Sequence, residues 1–164
     1  MDMRGLNLTP VSHAPTGATI RARNLAAGRY LPGTPDGVTR LASVEFTAEK
    51  DYLPLARMAT MHVTGLLGLP IGRVTDLRLA VNEACALFVG GEPAGAGRRR
   101  LAVAFDRLEG WLRITVDGPA PSRPPTPDDV GWTMLCALVE EPHWQVRDGA
   151  GTLIFTEPLR GVQH

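Results

Sequence analysis

The spacing of apolar residues changes along this chain of 164 residues. Two segments, about 48–67 and 73–89, repeat apolar residues at the three-to-four-residue interval of amphipathic helices. From Leu101 to Phe105, and again in later segments, apolar residues occupy every second position, which is typical of half-buried strands. The pattern therefore predicts helices that pack against a sheet.

The predicted elements occur in the order strand, helix, helix, two strands, loop, helix and two strands. Their approximate bounds are 41–46, 48–67, 73–89, 101–105, 111–116, 119–127, 129–140, 143–147 and 151–156. Thr47 is the expected N-cap of the first helix, and Asp148-Gly149-Ala150 is the expected turn of the last hairpin. The loop at 119–127 is proline-rich, and proline disfavours both helix and central strand. This order predicts an α+β, two-layer sandwich whose mostly antiparallel sheet is covered on one face by helices.

Proline and glycine interrupt every periodic pattern in residues 1–40, which predicts a flexible N-terminal leader. Within the leader, residues 20–25 have the composition for a short helical turn. One folded domain is expected over residues 41–160, followed by a tail at 161–164.

Lysine plus arginine and aspartate plus glutamate each number 17, so the formal net charge is zero. A neutral chain lacks the basic footprint of proteins that bind nucleic acid or anionic membranes. Cys85 and Cys136 lie in apolar runs and indicate no disulfide framework. There is neither a signal-peptide pattern nor an apolar run of membrane length. We therefore expect a cytoplasmic protein with no direct nucleic-acid partner and no membrane partner.

Residues 74–85 (VTDLRLAVNEAC) strongly resemble the helix that opens the nucleotide site in bacterial anti-sigma factor serine kinases. Proteins of this family regulate transcription in the stress response and in sporulation. They share the histidine-kinase-like ATPase fold with histidine kinases, gyrase and Hsp90. The resemblance covers about residues 41–160 and implies that fold, a serine/threonine-protein kinase activity, and ATP and magnesium as cofactors.

The resemblance places Glu83 where the family carries the glutamate that activates the attacking serine or water. The family's magnesium-binding asparagine follows four residues later on the same helix face. This chain has Leu87 there, and leucine offers no oxygen to a hard cation. Asn82 is a poor substitute because it lies about 140° around the helix from Leu87. The alternative interpretation is that Glu83 is a solvated helix residue.

The resemblance also places Asp117 where the family's aspartate accepts a hydrogen bond from adenine. Glycines follow that aspartate in the family, whereas this chain has Gly118 and then Pro119 and Pro121. Thr152 resembles the threonine that supports the aspartate, and it is expected to reach Asp117 through a water. We expect Asp117 and Glu83 to face one cleft. The alternatives are an ordinary strand-ending turn at Asp117-Gly118 and an ordinary hairpin before Thr152.

At the start of the third helix, the family prefers two glycines whose neighbouring N–H groups meet phosphates. Gly131 matches the first of them, and Thr133 replaces the second. Between them stands Trp132, which is otherwise interpreted as a core-packing residue. The preceding proline-rich loop is expected to be a shortened lid over the site.

Because the metal ligand and most phosphate glycines are missing, the resemblance favours a regulator that acts by protein–protein binding. Its partner would be a sigma factor or an anti-sigma factor antagonist, and its ATP binding would be weak or absent. One alternative is an active serine kinase that phosphorylates an antagonist, with Glu83 as the base. Another is a domain that serves mainly in dimerisation, and a homodimer is compatible with each hypothesis.

Overall fold

The computed structural model describes residues 19–22, 37–89 and 99–159 of the chain. These residues form six strands and three α-helices, with one 3-10 turn at Lys50–Tyr52. In chain order the elements are β1 (Thr19–Ala22), β2 (Thr39–Thr47), α1 (Leu53–Leu66), α2 (Ile71–Val89), β3 (Arg100–Leu108), β4 (Trp111–Pro119), α3 (Val130–Leu138), β5 (His143–Arg147) and β6 (Ala150–Pro158).

The six strands form one sheet in the order β1-β2-β3-β4-β6-β5, and every neighbouring pair is antiparallel. The three helices lie on one face of this sheet, with α2 between α1 and α3. The predicted α+β, two-layer sandwich is therefore confirmed, with an antiparallel sheet.

In the described part of the chain, one apolar core joins the helices to the sheet. The strands contribute alternate residues to it, such as Leu101, Val103 and Phe105 of β3. Helix α2 contributes the largest helical share because both of its long sides are covered by other helices and its base lies on the sheet. Its buried residues are Val74, Leu77, Ala80, Val81, Ala84, Cys85 and Phe88.

Two helical predictions differ from the structure. Helix α1 begins at Leu53 rather than after Thr47, because the chain first makes a 3-10 turn and Pro54 then occupies the first helical turn. Residues 19–22 form strand β1 and pair with β2, so the predicted helical turn is wrong there. The exposed edge of β2 offers unpaired backbone groups that an extended segment satisfies. The predicted leader also extends two residues too far, because Thr39 and Arg40 already belong to β2. Leader residues 1–18 and 23–36 and the tail lie outside the described residues.

The turns agree with the sequence-based predictions except at Pro119. Asp148 and Gly149 both have positive φ, as the predicted Asp-Gly hairpin turn requires. Pro119, however, is the last residue of β4 and lies opposite Ala150, although we expected the proline-rich segment to begin outside the sheet. Proline is tolerated at this place because the ladder ends there and no further N–H is needed from it. Residues 120–129 form the predicted loop.

No helix in the described ranges is both long enough and apolar enough to cross a membrane.

Candidate functional site

Helices α2 and α3 run antiparallel and bring three of the predicted site positions together. A Cβ atom built on Gly131 would lie 3.3 Å from Oε2 of Glu83 and 3.8 Å from Cδ2 of Leu87. We call the space between this part of α2, the start of α3 and loop 120–129 the α2–α3 cleft. The part of it under the loop holds about 300 Å³. A carboxylate and an apolar side chain thus stand side by side at the point where the resemblance implies a base and a metal ligand.

Within the described ranges, the hydrogen bond to the Glu83 carboxylate comes from its neighbour in the chain and not from a cationic side chain. Asn82 Nδ2 donates a hydrogen bond to Glu83 Oε1 at 3.2 Å, and Asn82 Oδ1 accepts one from Arg57 Nη1 at 2.7 Å. The amide of Asn82 therefore faces α1 and is occupied there, so it does not replace the oxygen that Leu87 lacks.

The loop before α3 is closed on itself by Asp129. The carboxylate of Asp129 accepts hydrogen bonds from Thr126 N at 2.8 Å, Thr126 Oγ1 at 3.2 Å and Arg123 Nη2 at 2.9 Å. The bond from the Thr126 backbone is the main cause that lowers the pKa of Asp129, with further lowering from the Thr126 hydroxyl and the Arg123 charge. These bonds fix the shape of the loop, whose residues line the space beside Leu87.

Thr133 uses its polar groups within the start of α3. Its backbone N–H donates to the carbonyl of Asp129 at 2.9 Å, and its hydroxyl donates to the carbonyl of Pro127 at 3.0 Å. Both donors are thus engaged in the loop and the first helical turn. Gly131 and Thr133 both lie at this helix start, as predicted.

Asp117 and Thr152 contact each other, but not in the α2–α3 cleft. Thr152 Oγ1 donates directly to Asp117 Oδ1 at 2.6 Å, without the water that we expected. Residues of β4 alternate between the two faces of the sheet, and Val116 and Gly118 are the ones that meet the helix layer. Asp117 consequently points to the opposite, exposed face of the sheet. The expectation that Asp117 and Glu83 face one cleft is therefore wrong.

Glycines occupy the helix-facing positions at this end of β4 and β6. Gly118 lies opposite Gly151 in the strand register. A Cβ on Gly118 would come within 2.9 Å of Phe88 Cδ1. A Cβ on Gly151 would come within 2.7 Å of Trp144 Cη2 and 3.0 Å of Phe88 Cε1. Since real Cβ atoms do not approach so closely, only glycine fits at these two positions while the rings keep their places.

The rings of Phe88 and Trp144 fill the space above the two glycines. Their centroids are 5.2 Å apart and their planes are inclined by 51°, a tilted arrangement favourable for aromatic pairs. Phe88 is fully buried at the end of α2, and Trp144 reaches it from strand β5. We call these two side chains the aromatic pair. The sequence analysis placed neither residue at the site, although the apolar period of the second helix includes Phe88. The alternation of β4 already predicts that Gly118, not Asp117, shares the face of Val116.

The described residues do not fit a nucleotide with magnesium in the way that the resemblance implies. The helix-facing position at the end of β4 carries no carboxylate, the adjoining space holds the aromatic pair, and the metal-ligand position is leucine. Glu83 and the start of α3 remain together as the resemblance implies.

No known protein-family model matches the chain, and no curated protein matches it. Among solved structures, the chain is similar to the crystal structure of the RsbU and RsbW domains of Rv1364c from Mycobacterium tuberculosis. The TM-score is 0.54 and the sequence identity is 18%, and the match covers 71% of this chain and 32% of that chain. This chain thus spans about a third of that protein. The similarity shows the fold, which is the α+β sandwich with an ATPase-like arrangement of sheet and helices.

Proposed function

We propose that this protein is an anti-sigma-factor-like regulator that acts by protein–protein binding, with weak or absent ATP binding. Its partner is a sigma factor or an anti-sigma factor antagonist. The observation that carries the proposal is the aromatic pair, which occupies the end of the sheet where a base would have to lie. Contact with a protein needs only a folded surface, so it does not depend on that space.

Two further observations support the proposal. The α2 segment at residues 74–85 resembles the corresponding helix of anti-sigma factor serine kinases, and the fold is shared with a protein that contains an RsbW domain. Phosphoryl transfer depends mainly on metal ions and on the positioning of the phosphates. Leu87 at the metal position therefore affects catalysis far more than it affects folding, where it packs against the core.

Calorimetric titration of the full chain with Mg-ATP, paired with titration by the sigma factors and antagonists of its host, tests this proposal. We expect no binding of Mg-ATP in the micromolar range and saturable binding of one of the proteins. Micromolar, magnesium-dependent binding of ATP contradicts the first half. The failure of every sigma factor and antagonist to bind contradicts the second half.

The persistence of Glu83 beside the start of α3 favours one alternative, an active serine kinase. Incubation of the chain with radiolabelled ATP, magnesium and a candidate antagonist distinguishes the two functions. Serine phosphorylation that disappears in Glu83→Gln would establish the kinase and defeat our proposal. The matched control is Glu49→Gln, which changes an exposed carboxylate before α1 that makes no hydrogen bond through its side chain in the described part of the chain.

A further inference from the structure

The helix layer carries most of the large apolar side chains that the described residues expose to solvent. Seven of the nine lie on α1, α2 or α3, so the apolar surface belongs to the helices rather than to the sheet. Three of the seven are methionines, namely Met58, Met61 and Met134, with exposed fractions of 66%, 44% and 41%. Methionine is flexible and polarisable, and it is common on surfaces that bind other proteins.

Helices α1 and α2 meet along a line that also carries two guanidinium groups. Arg57 of α1 donates to Asn82 of α2, and one turn further along Arg78 Nη1 lies 3.9 Å from Met61 Sδ. These two contacts show that the helices are antiparallel. We call the four residues Arg57, Met61, Arg78 and Asn82 the helix seam.

The arginines of the helix seam have no carboxylate partner within the ranges that the structure describes. Arg78 makes only the weak contact to sulfur, and its buried Nε has no acceptor there. In contrast, Arg73, Arg113 and other arginines of the described residues each pair with an acid. The Nη1 end of the Arg78 guanidinium lies at an exposed contact and has no acid beside it within the described residues, so an incoming carboxylate can form a charge-assisted pair with it.

We propose that the helix seam is a docking surface for a protein segment that carries a carboxylate flanked by apolar side chains. The carboxylate pairs with Arg78, and the apolar side chains pack on Met61 and on Leu79, which is exposed on the next position of α2. Charge complementarity selects an acidic segment rather than a basic one. This inference rests on the proposed function and assigns its contact to the side of α2 that faces α1, whereas the α2–α3 cleft lies on the side that faces α3.

A fluorescein-labelled amphipathic peptide of about 18 residues, built from leucine, alanine and glutamate, is the probe for the full chain. A peptide with lysine in place of glutamate is its control. We expect saturable binding of the acidic peptide by anisotropy, and hydrogen-exchange protection in α1 and α2. Arg78→Glu is expected to weaken binding by about tenfold or more, because it places like charges together. Arg147→Glu, on the exposed strand β5, is expected to leave binding unchanged.

A second pair of variants shows whether a loss of peptide binding comes from a lost contact or from misfolding of the protein. Met61→Gln is expected to weaken binding, whereas Val146→Gln, which changes a 53% exposed residue on β5, is not. Arg78→Met keeps the apolar stem and removes the charge, and its thermal unfolding reports whether the fold is intact. No binding of the acidic peptide below about 1 mM, or equal loss in Arg78→Glu and Arg147→Glu, would overturn the proposal.

Other occupants give different outcomes. A wild-type dimer that Arg78→Glu dissociates, seen by sedimentation, would assign the surface to a second copy. Binding to phosphatidylglycerol vesicles that Arg78→Glu abolishes would assign it to a membrane. If the peptide binds but no host sigma factor or antagonist does, the docking surface stands and the proposed function fails. If a host partner binds Arg78→Glu as tightly as wild type, the docking surface fails and the proposed function stands.

Discussion

The side chain of Asp117, at the end of β4, points in a different direction from the one that the sequence led us to expect. Asp117 matches the resemblance by residue type, but the alternation of the strand turns it away from the helices. Glu83, in contrast, lies on a helix whose apolar period already shows which side faces the core, so its neighbourhood was predictable. A residue type at the expected position is therefore insufficient unless the face of the element is also considered.

The two thiols of the chain are predicted to differ in reactivity. Cys85 is fully buried in α2, and burial raises the pKa of its thiol because the thiolate loses its solvation. Cys136 is exposed on α3. We expect a maleimide reagent at neutral pH to modify Cys136 in the folded protein and Cys85 only after unfolding, as read by mass spectrometry of peptides. Equal labelling of both under native conditions would contradict the burial of α2.

The contribution of the loop before α3 to the free energy of unfolding is predicted to depend on pH, because Asp129 accepts hydrogen bonds there. The pKa of Asp129 is lower in the folded protein than in the unfolded chain. The carboxylate therefore contributes its full stabilisation at pH values above the ordinary aspartate pKa. The effect is lost as the pH falls below about 4 and passes the folded pKa. The difference in free energy of unfolding between wild type and Asp129→Ala should therefore shrink from pH 7 to pH 3 in urea titrations.

Asp128→Ala is the matched control for this loop, because Asp128 is the exposed neighbour of Asp129. Its effect on the free energy of unfolding should stay small, because its side chain makes no hydrogen bond within the described residues. A difference for Asp129→Ala that is the same at pH 7 and pH 3 would mean that the loop bonds to Thr126 do not favour the ionised carboxylate.

At the scale of elements, the periodic pattern predicted the presence of every helix and strand beyond residue 38, but it did not predict the residues at which they begin and end. The Asp-Gly turn between β5 and β6 was predictable because few residues accept two successive positive φ values. The start of α1 was not, because Thr47 is a suitable cap by type while its backbone continues the β2 ladder opposite Arg100. Pairing with a neighbouring strand is a long-range effect that local propensity does not contain.

Two glycine-to-alanine changes are predicted to have opposite effects on stability. In Gly151→Ala the new methyl group would meet Trp144 at 2.7 Å, so we expect a loss of about 1–3 kcal/mol. In Gly65→Ala, on α1, no atom lies within 4 Å of the new methyl group. Alanine also favours the helix, so we expect a gain of about 0.5–1 kcal/mol. Urea unfolding measures both values, and a neutral Gly151→Ala would mean that the aromatic pair yields easily.

At the scale of the whole molecule, one arginine connects three elements at the end opposite the aromatic pair. Arg73 of α2 donates to both oxygens of Glu157 in β6, at 2.9 and 2.6 Å. It also donates to Asp76 at 3.0 Å and to the carbonyl of Leu138 at the end of α3, at 3.3 Å. These bonds raise the pKa of Arg73, chiefly through Glu157, against the opposing effect of burial. No sequence pattern predicted this junction, because it depends on how β6 lies beside the helices.

Arg73→Ala is predicted to lower the free energy of unfolding by about 2–3 kcal/mol, because it leaves the nearly buried carboxylate of Glu157 without a cation. The loss stays below that of a fully buried pair because about a third of the Arg73 side chain is exposed. Chemical denaturation measures it, with Arg147→Ala as the exposed control. The double change Arg73→Ala with Glu157→Gln should recover part of the loss. A loss below about 0.5 kcal/mol for Arg73→Ala would contradict a structural role for the junction.

The strand order of the sheet explains why the sequence did not predict the aromatic pair. Trp144 lies on β5, the strand at the sheet edge, and it reaches Phe88 only because β6 is inserted between β4 and β5. Nothing local to either residue indicates that partner. The fold class was predictable from the order of elements, whereas the content of the site depended on contacts between distant segments.

The aromatic pair also determines which substitutions could open a nucleotide site in this fold. Installing asparagine at Leu87 would place an oxygen where the resemblance implies a metal ligand, yet the rings of Phe88 and Trp144 would still obstruct a purine. Replacing Phe88 alone by a smaller residue would leave a cavity in the core, and the resulting loss of stability would precede any gain from a bound ligand. Each single substitution therefore fails to create a nucleotide site by itself. Under the proposed function, such a regulator would respond to the amounts of its partners rather than to the ratio of ATP to ADP.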